Sequence, residues 1–315
     1  MIEAFLAILG TLLFLTGTVV GSFLNVCIYR IPWQKSVIWP HSCCPRCLGA
    51  IAPRDNVPIL GWLALRGRCR RCGLPISARY PLVEGLVGLL FVGAFWADVA
   101  TRPDLLHAGV LAGALARLAY HLVLIGLLVV ATFIDFDLYL IPDEVTVPGM
   151  VLGIVLGALV PGVRLDPAAA VPTPLTSPAE GLWLGVQGLV VGGGLIWAVR
   201  IVAGVAFGRE AMGFGDVTLM AMIGSFLGWQ AAVLTFFLSP FSGLPHALGK
   251  LVATLLKRLR GGPRAASDRE IPFGPYLSLA ATVLVLGWPW IWWGWARGLF
   301  HQFSVVFWYM AGQER

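Results

Sequence analysis

The chain has 315 residues, of which 58% are hydrophobic and only 12% charged, and its mean hydropathy is +0.83. A soluble domain carries about 25% charged residues, so this composition excludes a soluble enzyme and requires a polytopic membrane protein. The formal net charge of +6 follows from the basic loops of such a protein and is not read as affinity for nucleic acid.

Apolar runs able to cross about 30 Å of hydrocarbon predict helices near 4–29, 81–97, 108–134, 145–160, 180–206, 215–228, 230–256 and 275–295. The sixth and seventh are parted only by Gly228, Trp229 and Gln230. The first run has Glu3 but no basic residue ahead of it, so it reads as a transmembrane helix rather than a secretory signal. A last stretch, Gly298–Met310, is a short ninth span or an interfacial helix, and its aromatics Phe300, Phe303, Phe307, Trp308 and Tyr309 favour the interface. The fold class is therefore all-α, with about eight transmembrane helices. The expected divisions are a first helix at 1–30, a cysteine-bearing domain at 31–80, a membrane core at 81–297 and a C-terminal segment at 298–315. Interior glycines, such as Gly17 and Gly21 on the first span or Gly192, Gly193 and Gly194 on the fifth, are expected at close helix contacts.

Orientation follows from the basic residues in the loops. Residues 30–80 hold Arg30, Lys35, Arg46, Arg54, Arg66, Arg68, Arg70, Arg71 and Arg79, nine of the 22 in the chain, against Asp55 as the single acid. Lys257, Arg258, Arg260, Arg264 and Arg269 form a second group, and Arg200 and Arg209 a third. The remaining loops are nearly bare, with Arg102 in one and Arg164 in the Pro-rich 161–179 stretch. Eight spans put every basic loop on one side, which makes that side cytoplasmic and the N-terminus external. The expected location is a cell inner membrane, with lipid as a partner.

Within 31–80, Cys44-Pro-Arg-Cys47 and Cys69-Arg-Arg-Cys72 form two CxxC knuckles separated by 21 residues. Four thiolates at this spacing suit tetrahedral Zn²⁺, and a reducing cytoplasm disfavours disulfides. An iron–sulfur cluster, redox dithiols or unligated thiols are the other readings. A closed Cys₄ site leaves no open position for catalysis, so the zinc would be structural. Cys43 is a poorer ligand by spacing, and Cys27, in the first span, reads as a small packing residue.

Two acids stand out against this background. Asp135 follows a long apolar run within Phe133-Ile134-Asp135-Phe136-Asp137, and Asp216 lies in Gly213-Phe214-Gly215-Asp216, 81 residues further on. A charge at the centre of a bilayer helix costs about 2.5–3.5 kcal/mol. Two acids bordering the hydrocarbon on the same face point to paired-carboxylate chemistry, one activating water and its protonated partner polarising a carbonyl. The blander reading of Asp216 is a helix cap, and Asp143, after Pro142, reads as the N-cap of the fourth span. Asp137 is either a solvated interfacial acid or a helper. The G-x-G before Asp216 follows no strand, which argues against a dinucleotide site.

Taken together, these motifs resemble the prepilin leader peptidases, or type IV prepilin peptidases, a family of membrane aspartic proteases. Gly21-Ser-Phe-Leu-Asn25-Val-Cys-Ile-Tyr29-Arg30-Ile-Pro32 is similar to the family's opening signature. The knuckles are similar to its cytoplasmic zinc module, with Asp55-Asn56-Val57-Pro58 between them and Arg79-Tyr80-Pro81-Leu-Val-Glu84 after them. Ile271-Pro272-Phe273-Gly274-Pro275 resembles its late turn. The resemblance implies that Asp135 and Asp216 are the catalytic pair and that Cys44, Cys47, Cys69 and Cys72 hold zinc. It implies removal of the basic leader from type IV prepilins or pseudopilins after a glycine, at the cytoplasmic face, and methylation of the new N-terminus by S-adenosylmethionine. No methyl-donor motif is legible. Thr218 stands where the family commonly has Lys. A proton- or ion-coupled transporter with a regulatory zinc ribbon is the alternative, and expects acids near mid-membrane with inverted repeats. A structural assembly protein would tolerate loss of both aspartates.

Overall fold

The computed structural model describes residues 2–101, 110–160, 162–165, 177–208, 212–259 and 272–302. The expectations for the basic loop at 260–271, for most of the Pro-rich stretch and for the C-terminal segment beyond residue 302 lie outside the described residues. Among the described residues there is no β-strand, only isolated bridges between Cys43 and Ala50 and between Arg68 and Pro75.

The helices are α1 (Ile2–Arg30), α2 (Leu60–Ala64), α3 (Arg79–Phe95), α4 (Val110–Leu138), α5 (Asp143–Leu159), α6 (Pro178–Phe207), α7 (Phe214–Leu227), α8 (Trp229–Leu259) and α9 (Gly274–Ile291). α3 and α9 each run on into a π-helical turn, Trp96–Ala100 and Trp292–Ala296. α6 has clear local signals: Ser177 accepts a hydrogen bond from the Glu180 amide, Pro178 takes the first helical position, and Gly208 ends the helix at φ +64°. All eight expected apolar segments are helical. Six of the apolar helices are long enough to cross a membrane, while α5, at 17 residues, and α7, at 14, are shorter. The boundary between the sixth and seventh segments falls at Gly228, whose φ of +89° L-residues rarely adopt.

Lipid tails are as apolar as leucine, so helices in a bilayer associate through close van der Waals packing. α1 rests on α3 where a Cβ on Gly17 would lie 2.8 Å from the Gly88 Cα, and one on Gly21 2.8 Å from the Glu84 Cα. α6 rests on α7 through Gly188 and Gly192, the latter 2.5 Å by the same measure from the Met220 carbonyl oxygen. Gly194, by contrast, has nothing within 4 Å and makes no such contact. α7 is the centre of the bundle: every residue from Asp216 to Leu227 is buried.

Polar contacts show which helix ends lie together. At one end, the Asn25 amide of α1 donates to the Tyr80 carbonyl of α3 (3.2 Å), Arg79 of α3 pairs with Asp137 of α4 (2.7 Å), and the Gly274 amide of α9 donates to Asp135 of α4 (3.1 Å). Arg200 of α6 lies over the ring of Phe214, the first residue of α7. At the other end, His121 of α4 meets Asp98 after α3 (2.7 Å), and Trp229 of α8 meets Phe300 beyond α9. Arg164 gathers the carbonyls of Gly157 and Gly153 on α5, Gly181 on α6 and Ser225 on α7. The seven helices from α3 to α9 therefore alternate in direction.

Candidate active site and metal centre

Asp135 lies in the last turn of α4 rather than beyond the helix, because α4 continues to Leu138 before Tyr139 turns out at φ +53°. Its side chain is 5% exposed, and Oδ2 accepts the Gly274 amide hydrogen. That amide is one of the donors a helix N-terminus leaves unpaired. Asp216 is the third residue of α7 and is 8% exposed. Its carboxyl faces the Gly213 amide at the cap position, the geometry of half a capping box, and lies within electrostatic reach of Asp135.

What joins the two acids is Ile141, in the short connection between α4 and α5. A Cβ on Gly215 would lie 2.9 Å from the Ile141 Cβ, and one on Gly274 would lie 2.8 Å from the Ile141 Cδ1 and 2.6 Å from the Asp135 Oδ2. Both glycines are thus sites of close approach, and α7 and α9 reach the same side chain next to the same carboxyl. Both carboxyls lie in terminal helical turns, not at mid-helix. A cleft lined by Ile31, Pro32, Gln34, Leu140, Ile141, Pro142, Asp143 and Glu144 opens beside this point. Asp143 is the first residue of α5 and Pro142 occupies the cap position, so the expected Asp143 N-cap is not formed; Asp143 and Glu144 favour the helix through its dipole instead. Thr218 is buried and donates to the Gly215 carbonyl at 3.0 Å, which tightens the turn carrying Asp216.

Other buried groups make polar contacts without having been singled out as site residues in the sequence. Tyr276, two residues after Gly274, bonds to His246 of α8, and Phe136 meets the same imidazole edge-on. Glu84 is buried in α3 and accepts the Ile59 amide at 2.7 Å. It thereby anchors the start of α2, in the cysteine domain, to the membrane bundle. An acid inside an apolar helix was a legible signal for Glu84. A basic residue in an otherwise bare loop was the corresponding signal for Arg164, which is 6% exposed rather than a solvated loop cation.

The cysteine domain brings Cys44, Cys47, Cys69 and Cys72 together, with all four sulfurs within 4.8 Å of one another. The Cys44 and Cys72 sulfurs are 3.7 Å apart, close to the edge of a tetrahedron built on Zn–S bonds of about 2.3 Å. The two knuckles are alike in backbone. Leu48 and Gly73, each following the second cysteine, have φ of +51° and +68°, and their amides donate to the Cys44 and Cys69 carbonyls. The amides of Cys47 and Arg46 bring the Cys44 thiol down to about 6, and those of Cys72 and Arg71 lower Cys69. The Leu74 amide favours the Cys72 thiolate, yet burial and the neighbouring sulfurs push this thiol up to about 11. This is the pattern of sulfurs crowded around a point that a cation would relieve. The donor set fits a metal ion. Cys43 is exposed and outside the cluster, and Cys27 is buried among helices as expected.

Fold and site together define an all-α polytopic membrane protein with two buried acids in helix-terminal turns that pack around Ile141, and a four-cysteine domain capable of holding a metal. The family model described as "Bacterial Peptidase A24 N-terminal domain" matches residues 15–97, and that described as "Type IV leader peptidase family" matches residues 122–248. Relatives named "Prepilin leader peptidase/N-methyltransferase" include one from Myxococcus xanthus, 38% identical over 86% of this chain and 70% of its own length. One from Aeromonas hydrophila is 35% identical over 88% and 90%, and one from Klebsiella pneumoniae 37% identical over 73% and 90%. The chain belongs to the type IV leader peptidase family and is a peptidase. No solved structure matches it significantly.

Proposed function

We propose that this peptidase is an aspartic endopeptidase whose catalytic groups are Asp135 and Asp216, and that it removes the basic leader of type IV prepilins or pseudopilins at the cytoplasmic membrane face. The observation that carries the reading is the convergence of α4, α7 and α9 on Ile141, with Asp135, Gly215 and Gly274 around it. The ionised carboxylate takes a proton from water as it attacks the scissile carbonyl. The protonated partner donates to the carbonyl oxygen, and the amine leaves with a proton returned from the pair. Sidedness rests on the basic loops, and prepilin as substrate rests on the names of the relatives.

Zn²⁺ is the ion we assign to Cys44, Cys47, Cys69 and Cys72, where a closed Cys₄ set makes it structural. The relatives' second named activity makes N-methylation of the newly exposed terminus part of the proposal. S-adenosylmethionine would supply the methyl group, and no residue is assigned to holding it.

The test uses full-length protein in lipid nanodiscs with a synthetic prepilin segment. Asp135→Asn and Asp216→Asn should each reduce cleavage by about 10²–10⁴-fold, the range of general acid–base catalysis, with folding unchanged. Cleavage retained by either variant would exclude the mechanism. Labelled S-adenosylmethionine reads the second activity independently in the same assay.

A further inference from the structure

Arg79 sits at the junction of the cysteine domain and the bundle, as the first residue of α3. Its Nη1 lies 2.8 and 2.7 Å from the two carboxylate oxygens of Asp137, its Nη2 donates to the Phe133 carbonyl at 3.3 Å, and its guanidinium lies 4.9 Å from the centre of the Phe133 ring. Phe133 and Asp137 bracket Asp135 by two residues on either side. Successive helical residues are about 100° apart, so these neighbours lie nearly opposite Asp135, whose carboxyl faces Gly274 of α9. Arg79 therefore grips the back of the turn whose front carries the acid.

That turn needs a grip. α4 ends three residues after Asp135, and the chain leaves it through Tyr139 in a left-handed conformation. Arg79 is itself held: its amide donates to the Ser77 hydroxyl, the next carbonyl accepts from Asn25, and Glu84, further along α3, fastens α2. We propose that Arg79 is a positioning residue for the peptidase, fixing the last turn of α4 through Asp137 and the Phe133 carbonyl so that Asp135 is presented toward Asp216. This rests on the reading of Asp135 as catalytic. It gives the junction with the cysteine domain a role in aiming the acid.

Displacing a reacting group by about 1 Å can cost on the order of 10²-fold in rate. In the nanodisc assay, Arg79→Gln and Asp137→Asn should each lower kcat about ten- to a hundredfold while KM stays within about twofold. The double variant should be no slower than the slower single one, and Arg79→Lys should recover part of the rate. An unchanged kcat, a defect confined to KM, or additive losses in the double variant would overturn the proposal. If Arg79→Gln does not fold, the kcat of Asp137→Asn decides. Asp135→Asn run alongside separates the two claims: if that variant cleaves, the catalytic assignment has failed, whereas if it is dead and Arg79→Gln is fully active, only the positioning role has.

Discussion

Gly274 is where a single missing side chain has the largest chemical consequence. Its amide donates to Asp135, and any Cβ there would stand 2.6 Å from that carboxylate's Oδ2 and 2.8 Å from the Ile141 Cδ1. Gly274→Ala should therefore push the carboxyl aside and lower kcat/KM for prepilin cleavage by at least about tenfold, while the thermal midpoint of the detergent-solubilised protein changes little. Wild-type cleavage by this variant would mean that the Asp135–Gly274 contact is irrelevant to the chemistry. Asp135 and Asp216 were legible in the sequence because acids are out of place beside hydrocarbon. Ile141, the residue that brings their helices together, was not, because an isoleucine in an apolar chain carries no signal. Arg79 and Asp137 were visible as charges, but which acid met which base is a matter of helix ends meeting across 58 residues of chain.

At the scale of elements, the eight apolar helices were legible from hydropathy, and the knuckles from spacing. Lengths were less so. The run predicted to end at residue 134 continues as α4 to Leu138 because hydropathy stops at the first acids, whereas backbone hydrogen bonding does not. α7 is short because Gly213 and Gly228 delimit it, and its far end is finished by Arg164 donating to the Ser225 carbonyl. The cysteine domain also has stabilising contacts of its own. Arg70 binds both Asp55 oxygens and holds that carboxyl below its usual range, and the Trp62 indole donates to the Ile76 carbonyl. Replacing Cys44 and Cys69 with Ser should release one zinc per chain, measured by metal analysis. It should unfold this domain, read by proteolysis between residues 31 and 78, more than it slows cleavage. Equal loss of structure and of cleavage would contradict that separation.

For the molecule as a whole, the contacts that pair helix ends agree with the alternation inferred from the basic loops. The basic loops are the ground for the proposed cytoplasmic face, and accessible cysteine chemistry tests it. Cys43 is exposed and stands apart from the metal cluster. In intact cells it should resist a membrane-impermeant maleimide reagent and react once the inner membrane is permeabilised, whereas a cysteine introduced at position 170 should react already in intact cells. Labelling of Cys43 from outside would invert the proposed topology and remove the cytoplasmic site with it.

The shortness of α7 bears on what can be cut. Fourteen helical residues rise about 21 Å, some 9 Å less than the roughly 30 Å of hydrocarbon around the bundle. The two ends of α7 share that deficit, and one of them carries Asp216. Centred on the bilayer, such a helix would hold Asp216, which is 8% exposed among its neighbours, a few ångströms inside the hydrocarbon boundary. On the proposed reading of Asp216 as catalytic, a scissile bond would meet it while the apolar segment that follows stays embedded, and a membrane-anchored chain would need no extraction to be trimmed. A freely diffusing peptide lacking such an anchor has nothing to hold its bond at that depth.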